Sequence, residues 1–191
     1  LPANEDAAIT TGQKLGVIGR ETSEFIDFLA KSGQKYWQIL PVSPTDEYGS
    51  PYAGISAFAG NINLLDQTAM EKVISECNDP QGKRAAEYQA FLARNSYWLD
   101  SYAAFCAIKD LLGEGVWQEW PEQYRSWSKE LLKRPELTQA IELHRKHQFA
   151  FDVIWGQTLA EAHAKDIQII GDMPMFVSED SADVWAHPEL F

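Results

Sequence analysis

The chain has 191 residues, 45% of them apolar, and 28 Asp and Glu against 16 Lys and Arg give a formal charge of -12. That balance repels a phosphate backbone and so excludes a nucleic-acid partner, whereas an uncharged substrate fits it. Two cysteines, Cys77 and Cys106, are too few for a disulfide scaffold and lack metal-ligand spacing, which points to a reducing, cytoplasmic setting without a cofactor. The length suits one domain or part of something larger. No apolar run approaches a membrane-spanning helix, and the polar opening Leu1-Pro2-Ala3-Asn4-Glu5-Asp6 is no signal peptide. The missing initiator Met and the apolar end at Leu190-Phe191 suggest a piece of a longer protein.

Residues 1–20 read as irregular, with Gly12, Gly16 and Gly19. Thr22 then looks like an N-cap for an amphipathic helix through Phe25, Ile26 and Leu29, stopped by Gly33. A strand over Tyr36–Val42 follows and runs into a turn-rich stretch from Ser43 to Tyr52. Helix, short link, strand and long loop make one αβ step of a wound sheet or barrel. Helical periodicity dominates residues 64–150, clearest from Tyr97 to Leu112 and ended by Gly113 and Gly115. A further helix from Phe151 leads through Lys165-Asp166 to a second strand at 167–171. The expected divisions are therefore 1–63 as the start of a sheet with its loop, 64–150 as a helical insertion, and 151–191 as the sheet's continuation.

The stretch Ile167-Gln168-Ile169-Ile170-Gly171-Asp172-Met173-Pro174 is the most informative. Its apolar run is too short for a helix and ends in Gly-Asp-x-Pro, which predicts a buried strand with a carboxylate at its C-terminal end. In α/β barrels that rim meets substrate, so Asp172 is a site candidate; equally, it could cap the turn or helix that follows.

The loop from Tyr48 to Asn61 is rich in Gly, but no dinucleotide or P-loop spacing accompanies it. Its aromatic rings and small hydroxyls suit a carbohydrate. Tyr52, after Ser50-Pro51, is assigned to the site; Phe58, flanked by alanines, is assigned to loop-anchoring core. His144 and His147 beside Glu142 have no obvious third metal ligand and read as a solvated helix face. Trp117, Trp120 and Trp127 read as packing of a small helical unit rather than a sugar groove. No Gly-x-Ser-x-Gly nucleophile elbow is present.

Four segments carry a resemblance. They are Tyr36-Trp37-Gln38-Ile39-Leu40-Pro41, Ser50-Pro51-Tyr52, Ser56-Ala57-Phe58-Ala59-Gly60-Asn61, and Ile169 to Val177 with the block Asp180 to Glu189. In order and spacing they closely resemble the 4-α-glucanotransferases, the amylomaltase family of glycoside hydrolase family 77, over nearly the whole chain. The resemblance implies an α/β fold, part of a (β/α)8 TIM barrel with a helical insertion. It implies transfer of α-1,4-glucan segments between maltooligosaccharides through a covalent glycosyl-enzyme, with an acceptor sugar replacing water. Such retaining chemistry uses two carboxyl groups about 5–5.5 Å apart, and the acceptor wins over water by being positioned.

Carried over by position, Ser50 and Tyr52 match a glucose-contacting loop and Asp172 the Asp at the floor of the active site, while Asp183 and Trp185 fall to structure. The chain departs from the family at residues 3–15, at Gly54-Ile55 and at Ile62-Asn63. It lacks the Arg-x-Asp-His segment of the family's nucleophile. All three catalytic carboxylates are therefore expected beyond Phe191, the first barrel strand before Leu1, and the isolated chain is expected to be inactive. The alternative is a non-catalytic glucan-binding module or a relic fragment.

Overall fold

A computed structural model describes residues 16–46, 48–113 and 115–191; most of the irregular opening expected over 1–20 lies outside them. Helix α1 spans Arg20–Lys31 and buries Ile26 and Leu29, the stripe that the sequence pattern marks. Thr22 is not its cap. Gly19 holds that position, and Thr22 sits buried in the first turn with its hydroxyl donating to the Val17 carbonyl at 2.8 Å. Gly33 ends the helix with φ of 72°, a conformation that glycine adopts without Cβ strain.

Strands β1 (Tyr36–Gln38) and β2 (Gln168–Ile170) pair in parallel, with Trp37 opposite Ile169. Both are shorter than the apolar runs that announce them; past Ile39, whose amide donates to the Ile170 carbonyl, Pro41 has no N–H to extend the ladder. Burial of β2 is also only partial. Trp37 and Ile167 pack on Ile26 and Leu29 of α1 and Ala162 of the long helix that precedes β2, whereas Tyr36, Leu40 and Ile170 stay exposed. One face of a two-stranded sheet is covered, so alternate residues meet solvent.

Helix α2 (Gln67–Cys77) is capped by Asp66, whose carboxylate accepts from the Ala69 amide at 2.8 Å. Helices α3 (Lys83–Leu112) and α4 (Pro135–Ala164) are each 30 residues long and pack against one another. The helix expected from Tyr97 thus begins at Lys83, and the one expected from Phe151 is the second half of α4. The division between residues 150 and 151 falls inside that helix. Pro135 starts α4 at a position where its missing N–H costs nothing.

Two clusters fill the helical part. In one, Phe105, Trp120, Leu137, Ile141 and Trp185 are buried with Trp117 and Trp127 partly buried against them, so the tryptophans pack as expected. In the other, Leu64, Val73, Phe91, Leu99, Phe149 and Ile154 join α2, α3 and α4. Short helix α5 (Ala182–Ala186) brings Trp185 to the first cluster.

His144 and His147 do not form a solvated face. His144 bonds Asp110 at 2.7 Å, and the His147 Nδ1 is buried without a hydrogen-bond partner. Burial, and then the charge of His144, hold the His147 pKa below its ordinary value, against a smaller opposing pull from Asp110. The unfolded chain therefore binds the proton more readily, and stability is lost as pH falls below about 6.5, the usual histidine value. Thermal unfolding followed from about pH 7.5 to about pH 5.5 should show Tm dropping by a few degrees. His147→Gln should flatten that slope; an unchanged slope would assign the acid sensitivity to other groups.

Candidate functional site

The loop after β1 is shaped by a residue that the sequence reading missed. The Asp46 carboxylate accepts from the amides of Tyr48 at 3.0 Å and Ser50 at 2.8 Å, while its own amide donates to the Ser50 carbonyl. Gly49, with φ of 80°, allows the tight return. An Asp three residues before a Gly in a turn-rich stretch was the available signal.

Within this turn the Ser50 hydroxyl accepts from the Tyr52 amide at 3.3 Å. The Tyr52 hydroxyl then donates to Asp172 Oδ2 at 2.8 Å, bridging positions 120 apart in sequence. Asp172 Oδ1 accepts from the Met173 amide at 2.8 Å. Asp172 thus bonds the amide of the residue after it with one oxygen and faces Tyr52 with the other. Hydrogen bonding to Asp172 raises the Tyr52 pKa, so the phenol remains a neutral donor. Ser50 stands behind this pair and fixes the Tyr52 backbone.

The second half of the loop is held by the segment after β2. Ser178 and Ala182 donate backbone bonds to the carbonyls of Gly54 and Ile55, and the Ala57 amide donates to Asp183 Oδ2 at 3.0 Å. Burial pushes the Asp183 pKa up, partly offset by its bonds from Ala57 and Ser56. Asp183 holds the loop and Trp185 is buried in the first cluster, in keeping with the assignment of both to structure. Gln148 of α4, also missed, grips Gly60 from inside: its carbonyl accepts from the Gly60 amide at 2.8 Å and its amide donates back at 3.0 Å.

Beside the pair lies an open cleft of about 460 Å³ lined by Phe58, Tyr97, Trp98, Asp152, Trp155 and Asp172, among others. Phe58 is not core. It is 52% exposed, stacks on Trp98 at 6.1 Å and meets Tyr97 edge-on at 5.5 Å. Alanine neighbours carry no information about which ring a phenylalanine meets across the fold. Exposed rings beside carboxylates are the surface that sugars favour, apolar face against ring and hydroxyls towards acceptors. Among the described residues no group of three His, Cys, Asp or Glu could hold a metal ion.

A family model described as 4-alpha-glucanotransferase, that of glycoside hydrolase family 77, matches residues 8–80 and 67–191. The chain belongs to this family. It is 37% identical to the 4-alpha-glucanotransferase of Thermus thermophilus and 36% to that of Aquifex aeolicus, with 93% of the chain covered in each case. It spans 42% of the first and 43% of the second. An amylomaltase from Streptococcus agalactiae in complex with acarbose superposes with a TM-score of 0.79 and 33% identity, over 93% of this chain and 43% of the other. The amylomaltase of Corynebacterium glutamicum, at 15% identity and a TM-score of 0.60, shares the fold, over 89% of this chain and 29% of its own.

Inside the matched region the glucanotransferases are longer. The Thermus alignment runs over 211 positions but takes in 93% of 191 residues, about 178, so about 33 positions have no counterpart here. Both pieces of the family match include residues 67–80, which span α2 and its turn into α3.

Proposed function

We propose that this chain is the opening part of a 4-alpha-glucanotransferase and supplies part of its glucan-binding face. The whole protein would move α-1,4-glucan segments between maltooligosaccharides by a retaining route with a covalent glycosyl-enzyme. Its catalytic carboxylates lie outside these 191 residues. The observation that carries the proposal is the Tyr52–Asp172 hydrogen bond at the C-terminal end of β2, beside a cleft of exposed rings.

In this reading β1 and β2 are neighbouring strands of a (β/α)8 barrel, and further strands cover the exposed side chains of Tyr36, Leu40 and Ile170. Residues 64–150 are a helical insertion between two αβ steps, tied to the second step by α4. Ser50, Tyr52 and Asp172 contact glucose units. A reducing cytoplasm suits the two free, buried cysteines. Among the described residues no helix is long and apolar enough to cross a membrane.

Calorimetric titration of the 191-residue chain with maltotriose tests the site. Saturable binding is expected, weakened roughly tenfold by Tyr52→Ala, about 1.4 kcal/mol. A flat titration sinks the proposal. In the same samples no glucose should be released from maltotriose; release would place a complete catalytic apparatus within the chain.

A further inference from the structure

The turn that presents Phe58 to the cleft is tied to one carboxylate. Asp183, in the first turn of α5, accepts from the Ala57 amide at 3.0 Å and from the Ser56 hydroxyl. The Ser56 oxygen in turn accepts from the amides of Phe58 at 3.1 Å and Ala59 at 3.2 Å. Asp183 thus fixes three successive amides, one directly and two through a buried hydroxyl. Phe58, Tyr97 and Trp98 also share a small cavity of about 30 Å³ with Asp183 and His187. Space beside the Phe58 ring lets it shift if the turn loosens.

We propose that Asp183 is a positioning residue of the glucan site, acting through Ser56 and the turn 56–59 to set the Phe58 ring in the cleft, so that sugar binding depends on its negative charge. The inference rests on the glucan-binding reading of the Tyr52–Asp172 site. Hydrogen bonds to a carboxylate are roughly twice as strong as neutral ones, and protonation also turns one oxygen from acceptor into donor. Loss of the charge therefore loosens the turn and the ring that it carries. Burial holds the Asp183 pKa above its ordinary value. The charge is then lost at a higher pH than an exposed Asp requires, and sugar affinity falls with it. The same upward shift means that protonating Asp183 favours the folded chain over the unfolded one, so this group adds nothing to acid unfolding. His187, just past α5, faces Asp183, and its positive form favours the carboxylate. Glu189 pairs with His187 at 3.4 Å. From α3 the facing groups are the phenols of Tyr97 and Tyr102, and burial keeps Tyr102 neutral.

The test is maltotriose titration of the 191-residue chain, repeated from about pH 7.5 to about pH 4.5. Asp183→Asn should weaken binding roughly three- to tenfold at neutral pH, the range for one aromatic contact. It should also flatten the fall in affinity with acid. Asp172 is common to both proteins, so the difference between the two profiles reports Asp183. In a Phe58→Ala background Asp183→Asn should cost little more, because its effect runs through the ring. Additive losses, or a pH profile that Asp183→Asn leaves unchanged, overturn the proposal. Ser56→Ala keeps the charge but removes the relay; it should weaken maltotriose as Asp183→Asn does, and it decides the matter where Asp183→Asn does not fold. Weakening by Tyr52→Ala and Phe58→Ala with none by Asp183→Asn overturns the positioning role and leaves the site standing. No weakening by Tyr52→Ala overturns the site itself.

Discussion

Trp185→Ala is expected to lower the free energy of unfolding by about 3–5 kcal/mol, the range for emptying a large buried aromatic site. Trp185 is 1% exposed and is ringed by Phe105 at 5.8 Å, Trp120 at 5.9 Å and Trp127 at 5.7 Å. Its indole N–H donates to the Tyr124 carbonyl at 2.9 Å, so truncation also orphans a buried acceptor. Such a loss consumes much of the roughly 5–15 kcal/mol that holds a domain together. The effect should extend to the candidate site, because Trp185 anchors α5, and α5 holds Ile55 and Ala57 of the loop through Ala182 and Asp183. Urea unfolding should show a lower midpoint for Trp185→Ala and an intermediate one for Trp185→Phe, which keeps a ring but loses the N–H. A Trp185→Ala loss under about 1 kcal/mol would mean that the cluster closes over the gap.

Gly60→Ala should cost about 3 kcal/mol or more, beyond the usual overpacking penalty of about 1–3 kcal/mol. A Cβ there would stand 2.1 Å from the Phe151 ring, and Gly60 cannot retreat without breaking both hydrogen bonds to Gln148. The glycine is needed here for space rather than for backbone angle. A double-mutant cycle separates the two causes: Phe151→Leu should recover part of the loss, with a coupling of about 1 kcal/mol or more. Additive single effects would mean instead that the loop bends away at Gly60 and leaves the ring in place.

Elements whose signals are local were legible from sequence. The apolar runs around Trp37 and Ile169, closed by Pro41 and by Gly171-Asp172, locate both strands, and Gly33 and Gly113 mark two helix ends. The first half of α4 was not legible as part of a long helix, because its charges find their partners across the fold. Arg145 meets Asp100, His144 meets Asp110, and Lys146 meets Asn78. In a single sequence those residues look like a solvated, unpatterned stretch.

The candidate site divides in the same way. Tyr52 and Asp172 were each visible as loop and strand-end residues, and family resemblance joined them; nothing in their spacing announces a hydrogen bond. Gln148 was invisible because a buried glutamine facing a glycine backbone has no sequence signature. Phe58 was misassigned since exposure depends on Tyr97 and Trp98, which arrive from another element.

The Tyr52–Asp172 bond spans 120 positions, and half of that interval is two long helices packed on each other. Helical turns and the α3–α4 pairing need only nearby chain, whereas the β1–β2 ladder must wait for its ends to meet across the whole block. Closing the sheet therefore carries the larger loop-closure cost. The helical block acts as a brace that holds the two strands within reach of each other, so the geometry of the candidate site depends on helices that contribute few of its polar contacts.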